Sequence, residues 1–130
     1  MRKKKVVLTG GVFDVLHAGH IYTLAQAKKY GDKLVVVVAN DDYIRKKGRE
    51  PIHTQEYRAF MVKAIRYVDE VILGGKNPED IIKKVKPDVI VYGYDQKPFI
   101  NPKGVKIVKL KKHIEKNNLK TSNILKKLGL

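Results

Sequence analysis

Two histidines three residues apart, His17 and His20, follow a pair of glycines, Gly10 and Gly11, in the stretch Thr9-Gly10-Gly11-Val12-Phe13-Asp14-Val15-Leu16-His17-Ala18-Gly19-His20. Glycines allow close approach of the backbone or a positive φ. A helix opening at Gly19 would offer unpaired N–H groups and the positive end of its dipole, which together make an anion site. Two histidines at that spacing share one face of the first turn and can meet one ligand. Three roles are open to them. They could ligate a metal, although no third histidine or carboxylate stands at familiar zinc spacing. They could cap the helix and satisfy the loop. They could donate to phosphate oxygens as negative charge develops. Asp14, in the same loop, is either structural or a contact to metal or substrate.

Further polar residues extend the set. Lys46 and Lys47 open the basic run Lys46-Lys47-Gly48-Arg49. Such a run is either a solvated loop or an arm that neutralises phosphates, with Lys46 the preferred member. Arg58 sits among apolar residues at helical spacing, as a surface ion pair or as a contact to a substrate phosphate. Asp95, in Gly93-Tyr94-Asp95-Gln96, could accept from a ribose hydroxyl or a base amino group. Thr121 and Ser122 place two hydroxyls at a helix start, a phosphate site on its own physics.

The elements that must position these groups alternate. Residues 5–9, 34–39, 70–73, 89–92 and 105–110 read as strands, and residues 34–39 form a β-branched run expected of a strand covered on both faces. Residues 19–30 and 54–66 have helical spacing; Thr54 can cap the second, and Tyr57, Phe60, Met61, Ala64 and Ile65 predict its buried stripe. Asn77-Pro78 marks another helix start, and residues 121–129 a last short helix. The pattern predicts an α/β fold: one Rossmann-like domain over residues 1–130, with about five parallel strands and helices on both faces. Ligands of such folds bind at the carboxyl ends of the strands, where strand order reverses.

Composition narrows the class. The 130 residues are 43% hydrophobic and contain no cysteine, which excludes disulfides, Cys-ligated zinc and a thiol nucleophile. The apolar runs are too short to span a bilayer, and the basic N-terminus lacks the apolar stretch of a signal peptide, so a cytoplasmic location and no membrane partner are expected. The formal net charge of +15 fits a Lys-rich surface or a field that steers polyanionic substrates. Nucleic acid is the least favoured account, because no recognition helix or aromatic-studded basic strand stands out.

The pattern Gly-x-Phe-Asp-x-x-His-x-Gly-His, carried here by Gly11, Phe13, Asp14, His17, Gly19 and His20, resembles the HxGH signature of the cytidylyltransferase-like nucleotidyltransferases. Lys46-Lys47-Gly48-Arg49-Glu50-Pro51-Ile52 with Arg58, Met61-Val62-Lys63-Ala64, and Lys86-Pro87-Asp88-Val89-Ile90-Val91 leading into Gly93-Tyr94-Asp95-Gln96 are similar to archaeal FAD synthases. Ile65-Arg66-Tyr67-Val68-Asp69-Glu70-Val71 is similar to glycerol-3-phosphate cytidylyltransferases. The resemblance implies transfer of a nucleoside monophosphate from an NTP to a phosphorylated acceptor with loss of pyrophosphate. The pairing it implies first is ATP with FMN. CTP with glycerol 3-phosphate is the second, and a non-catalytic basic binding module is the contrasting class. The resemblance further implies His17 and His20 on the triphosphate, with Gly11, Val12, Phe13, Ala18, Gly19, Asp95, Thr121 and Ser122 around the nucleotide. Lys46 would join the histidines in catalysis, and Asp14, Lys47 and Arg58 would serve the acceptor and its phosphate. Mg²⁺ is expected to arrive with the NTP and not on a protein metal site. A homodimer is expected from the same source.

Overall fold

The structure, a computed structural model, describes residues 3–94, 96–98 and 100–111. Its centre is a parallel sheet of five strands, β1 (Val6–Gly11), β2 (Lys33–Val38), β3 (Glu70–Leu73), β4 (Val89–Tyr92) and β5 (Lys106–Lys109), in the order β3-β2-β1-β4-β5. Helices α1 (Ala18–Lys28), α2 (Asp41–Lys46), α3 (Gln55–Lys63) and α4 (Pro78–Val85) make the connections from β1 to β4. The chain grows one way from β1 to β3, then crosses to β4 on the other side of β1. That reversal makes the β1/β4 boundary the switch point where ligands of open α/β sheets bind.

Alternation along the strands divides the core. Val7, Val36, Val38, Val89 and Val91 pack with Leu24 and Ala27 of α1 and Val62 of α3. Leu8, Val35, Ile90 and Tyr92 pack on the other face with Ile81, Ile82 and Val85 of α4. Helices therefore cover both faces, as the continuous Val run of β2 requires. At the amino ends of the strands carboxylates take up backbone donors: Asp88 accepts from Val6 N–H (2.9 Å) and Asp69 from Leu34 N–H (2.7 Å).

Two expectations need correction. The segment after β2, read as a loop, begins with α2. Asn40 caps it by accepting from Tyr43 N–H (2.7 Å), with Asp41 and Asp42 in the first turn and Arg45 and Lys46 in the last. The stripe of α3 is also turned. Its buried residues are Arg58 and Val62, while Tyr57, Phe60 and Met61 are exposed, Phe60 by 74%. Ala64 is exposed too, and only Ile65 of the predicted stripe packs on the core. The inward face is Arg58, Val62 and Ile65, at i, i+4 and i+7, and apolar character alone pointed one position away. The helix expected over residues 121–129 lies outside the described residues. Among the described residues, no helix is long and apolar enough to cross a membrane.

Candidate active site

The loop leaving β1 ends at His17, the N-cap of α1, which has extended backbone angles (φ −147°, ψ 175°). Its Nδ1 accepts from Gly19 N–H (3.1 Å), and Nδ1 of His20 accepts from His17 N–H (3.3 Å). This is a capping box built from two imidazoles where Ser/Thr and Glu/Gln usually serve. The capping and phosphate-donor roles are therefore compatible. A neutral imidazole nitrogen that accepts carries no proton, so each ring holds its N–H on Nε2, away from the backbone. The rings face each other at a tilt of 33°, with centroids 4.0 Å apart.

Phe13 also packs against His20. Its ring meets His20 edge-on at 5.4 Å and is 6% exposed, and its φ of 54° is uncommon for a residue with a Cβ. Gly11 makes that placement feasible. A Cβ there would lie 2.9 Å from the Phe13 ring. The nearby glycine thus makes room for a side chain of the protein.

On the opposite wall stand Tyr43 of α2 and Lys47, the C-cap of that helix, with the Lys47 ammonium 5.2 Å from the Tyr43 ring centroid. Gly48, at φ 93°, then turns the chain so that Arg49 reaches back to Asp14 (Nη1 to Oδ2, 2.8 Å). Asp14 also accepts from the N–H groups of Ile52 (2.9 Å) and His53 (2.9 Å). Its buried carboxylate is fully engaged in joining the β1 loop to the segment after α2. Of the two roles open to it, this geometry is that of the structural one.

Burial pushes the Asp14 carboxyl up, but the two backbone donors and the Arg49 guanidinium outweigh it, holding the pKa below the ordinary 3.8. A depressed pKa stabilises the fold above the unfolded value, and the contribution is lost as pH falls through the folded value. Asp14→Asn is therefore expected to lose about 2 kcal/mol near neutrality. Urea unfolding at stepped pH should show the gap to wild type closing once pH drops below 3.8. A gap constant down to acid would contradict this assignment.

Arg58 was open to a surface ion pair or a contact to a substrate phosphate; the surface placement is corrected, because it is 1% exposed. It donates through Nε to His53 O (3.0 Å), through Nη1 to Val12 O (2.8 Å) and through Nη2 to Asp41 Oδ1 (2.8 Å). It ties α3, the β1 loop and the start of α2 into one unit, and Val12 gives its carbonyl to that tie.

Two cavities open at the carboxyl ends of the strands. The polar one, about 360 Å³, is lined by Phe13, His20, Thr23, Lys47 and Arg49 among others. The apolar one, about 430 Å³, runs over the other face of the sheet to Ile81, Ile82, Ile90 and Tyr92. They share Thr9, Gly10, Gly11, Val12, Tyr43 and Gln96. Lys46 and His17 line neither, and of the two histidines His20 is the one on the cavity wall. Ile44 is the buried residue of α2; Lys47, three positions on, shares its side of the helix, and Lys46, two positions on, points away. Arg49 was missed because nothing in the sequence ties position 49 to the β1 loop. Gly19 is buried in the first turn, with its N–H given to His17, and Ala18 is exposed. Asp95, Thr121 and Ser122 lie outside the described residues. Among the described residues no three His, Asp or Glu side chains converge as a metal site. The donor set facing the cleft is cationic or imidazole, which suits phosphate oxygens.

The cytidylyltransferase-like family model matches residues 8–127. The chain belongs to that family. Its curated relatives include the FAD synthase of Pyrococcus horikoshii, 45% identical over 98% of this chain and 93% of the relative. They also include the FAD synthase of Thermococcus kodakarensis, 52% identical over 86% of this chain and 75% of the relative. A solved structure described as the lipopolysaccharide core biosynthesis protein of Thermoplasma volcanium superposes with a TM-score of 0.78 at 38% identity, covering 86% of this chain and all of that one. The chain is a nucleotidyltransferase enzyme of this family.

Proposed function

We propose that residues 1–130 form one adenylyltransferase domain that makes FAD from FMN and ATP. The observation that carries this reading is near-full-length similarity to FAD synthases, together with a cationic cavity that opens into an apolar one. The apolar cavity suits a planar base and the polar one the phosphates. A phosphate oxygen of FMN attacks the α-phosphorus in line; that P–O bond forms as the bond to the β-phosphate oxygen breaks, and pyrophosphate leaves. The enzyme's work is positioning and charge stabilisation. The Nε2–H of His20, with His17 beside it, faces the charge that builds on the departing oxygens. Lys47 and Arg49 balance the remaining phosphate charge. Mg²⁺ belongs to this reading as a partner of the triphosphate, held by phosphate oxygens and water. So does a cytoplasmic location.

The stretch similar to glycerol-3-phosphate cytidylyltransferases does not favour CTP. Its Asp69 holds Leu34 N–H at the amino end of β2, the end of the sheet away from the cleft, and takes the Lys28 ammonium.

Pyrophosphate release, measured with ATP or CTP against FMN or glycerol 3-phosphate, tests the assignment. Release with ATP and FMN alone, with FAD as product, is the expected result. Release with CTP and glycerol 3-phosphate would replace it.

A homodimer is part of the same reading, supported by the exposed patch of Ile52, Tyr57, Phe60 and Met61. Sedimentation should show wild type as a dimer and Phe60→Glu as a monomer. Two identical monomeric profiles would remove the dimer.

A further inference from the structure

At the switch point, side chains bond to strand carbonyls that the β1–β4 ladder leaves aside. β1 pairs with β2 along its whole length, from Val6 with Lys33 to Gly11 with Val38. Its pairing with β4 covers Val7 with Val89 and Leu8 with Ile90 and goes no further, although β4 continues to Tyr92 and stays paired to β5 there. Beyond Leu8 and Ile90 the facing carbonyls of β1 and β4 need other donors. The buried Thr9 hydroxyl donates to Val91 O at 2.7 Å. The Gln96 amide donates through Nε2 to Gly10 O at 3.0 Å, and its Oε1 accepts from Gly93 N–H at 2.7 Å. Gln96 N–H also closes a turn onto Gly93 O (3.1 Å). Thr9 and Gln96 border both cavities.

We propose that Thr9 and Gln96 are positioning residues for the nucleotide: they keep β1 and β4 apart at the switch point and fix the loop after β4 to the end of β1. Without these donors the strands would either zip further, closing the crevice, or leave inward carbonyls unpaired. The nucleotide straddles this crevice, between the polar and apolar cavities, so its affinity depends on the spacing. Lys47 borders the polar cavity alone, so an acceptor phosphate held there depends on the spacing less. This assignment rests on the nucleotidyl-transfer reading of the same cleft.

The test combines titration of α,β-methylene-ATP, which needs no acceptor, with KM values for ATP and FMN in FAD formation. Gln96→Met keeps the length and loses the amide; Gln96→Glu keeps the acceptor for Gly93 and loses the donor to Gly10. Both should weaken α,β-methylene-ATP binding by about 10-fold or more and raise KM for ATP in step, with KM for FMN changed by less than about 2-fold. Thr9→Val should behave likewise, and Thr9→Ser, which retains the hydroxyl, should bind like wild type. If Gln96→Met does not fold, the Thr9 pair gives the same reading. Unchanged nucleotide affinity in Gln96→Glu and Thr9→Val overturns the proposal, and so does an equal loss for ATP and FMN. Wild type that binds the analogue but makes no FAD would instead overturn the FMN assignment, and the binding comparison would still decide the role of Thr9 and Gln96.

Discussion

Replacing His20 with alanine is expected to lower kcat for FAD formation by about 10²–10³-fold, with a smaller change in KM for ATP. The reasoning starts from the capping box. His20 Nδ1 is committed to the His17 N–H, which leaves Nε2 as the ring's donor, and the Phe13 ring limits where the imidazole can turn. A donor fixed before the reaction need not reorganise as charge builds on the leaving pyrophosphate, so its benefit appears in kcat more than in binding. Alanine also removes half of the capping box, and that part must be separated. Glutamine is a common residue at this third helical position of a capping box and can accept the same backbone N–H. His20→Gln should therefore melt close to wild type while kcat still falls by at least about 10-fold. If His20→Gln keeps full turnover, the ring serves the helix cap alone.

The strand order follows from patterns visible in the residues. Continuous Val runs need cover on both faces, and helical segments between them force parallel pairing. The exit loop of β1 is legible for the same reason, since Gly, His and a helix start in one short stretch serve few other purposes. What escaped was side-chain direction. Lys46 and Lys47 differ by one position, and only the buried Ile44 decides which faces the cleft. Tyr57, Phe60 and Met61 have the spacing of a buried stripe, yet Arg58 takes the inward position. A sequence window weighs Arg58 as polar and turns it outward, because the groups that satisfy its guanidinium, Val12 O, His53 O and Asp41, come from three other places in the chain. Asp14 was ambiguous for the same reason. Its partners Arg49, Ile52 and His53 lie 35, 38 and 39 residues away.

The largest loss of stability is expected at Arg58. Its side chain is 0% exposed and its partner Asp41 is 27% exposed, so the pair is screened far less than a surface salt bridge. For exposed pairs the net value is about 0–1 kcal/mol, because water competes with both partners. Here three partners meet three guanidinium nitrogens. Arg58→Met fills much of the volume but leaves the Asp41 carboxylate without its cation and two carbonyls without donors. The expected cost is about 3–5 kcal/mol in urea unfolding at neutral pH. Arg58→Lys should recover only a small part, since an ammonium cannot span the fork set by Val12, His53 and Asp41. Adding Asp41→Asn to Arg58→Met should restore about 1 kcal/mol or more, because it removes the stranded charge. A loss below about 1 kcal/mol in Arg58→Met would place Arg58 among solvated arginines. The same tie connects stability to catalysis. Val12 precedes Phe13, Phe13 supports His20, and Asp41 opens the helix that Lys47 closes as its C-cap. At temperatures where Arg58→Lys stays folded, its kcat should fall more than its far-UV signal changes, because these walls of the cleft lose their common anchor before the sheet does.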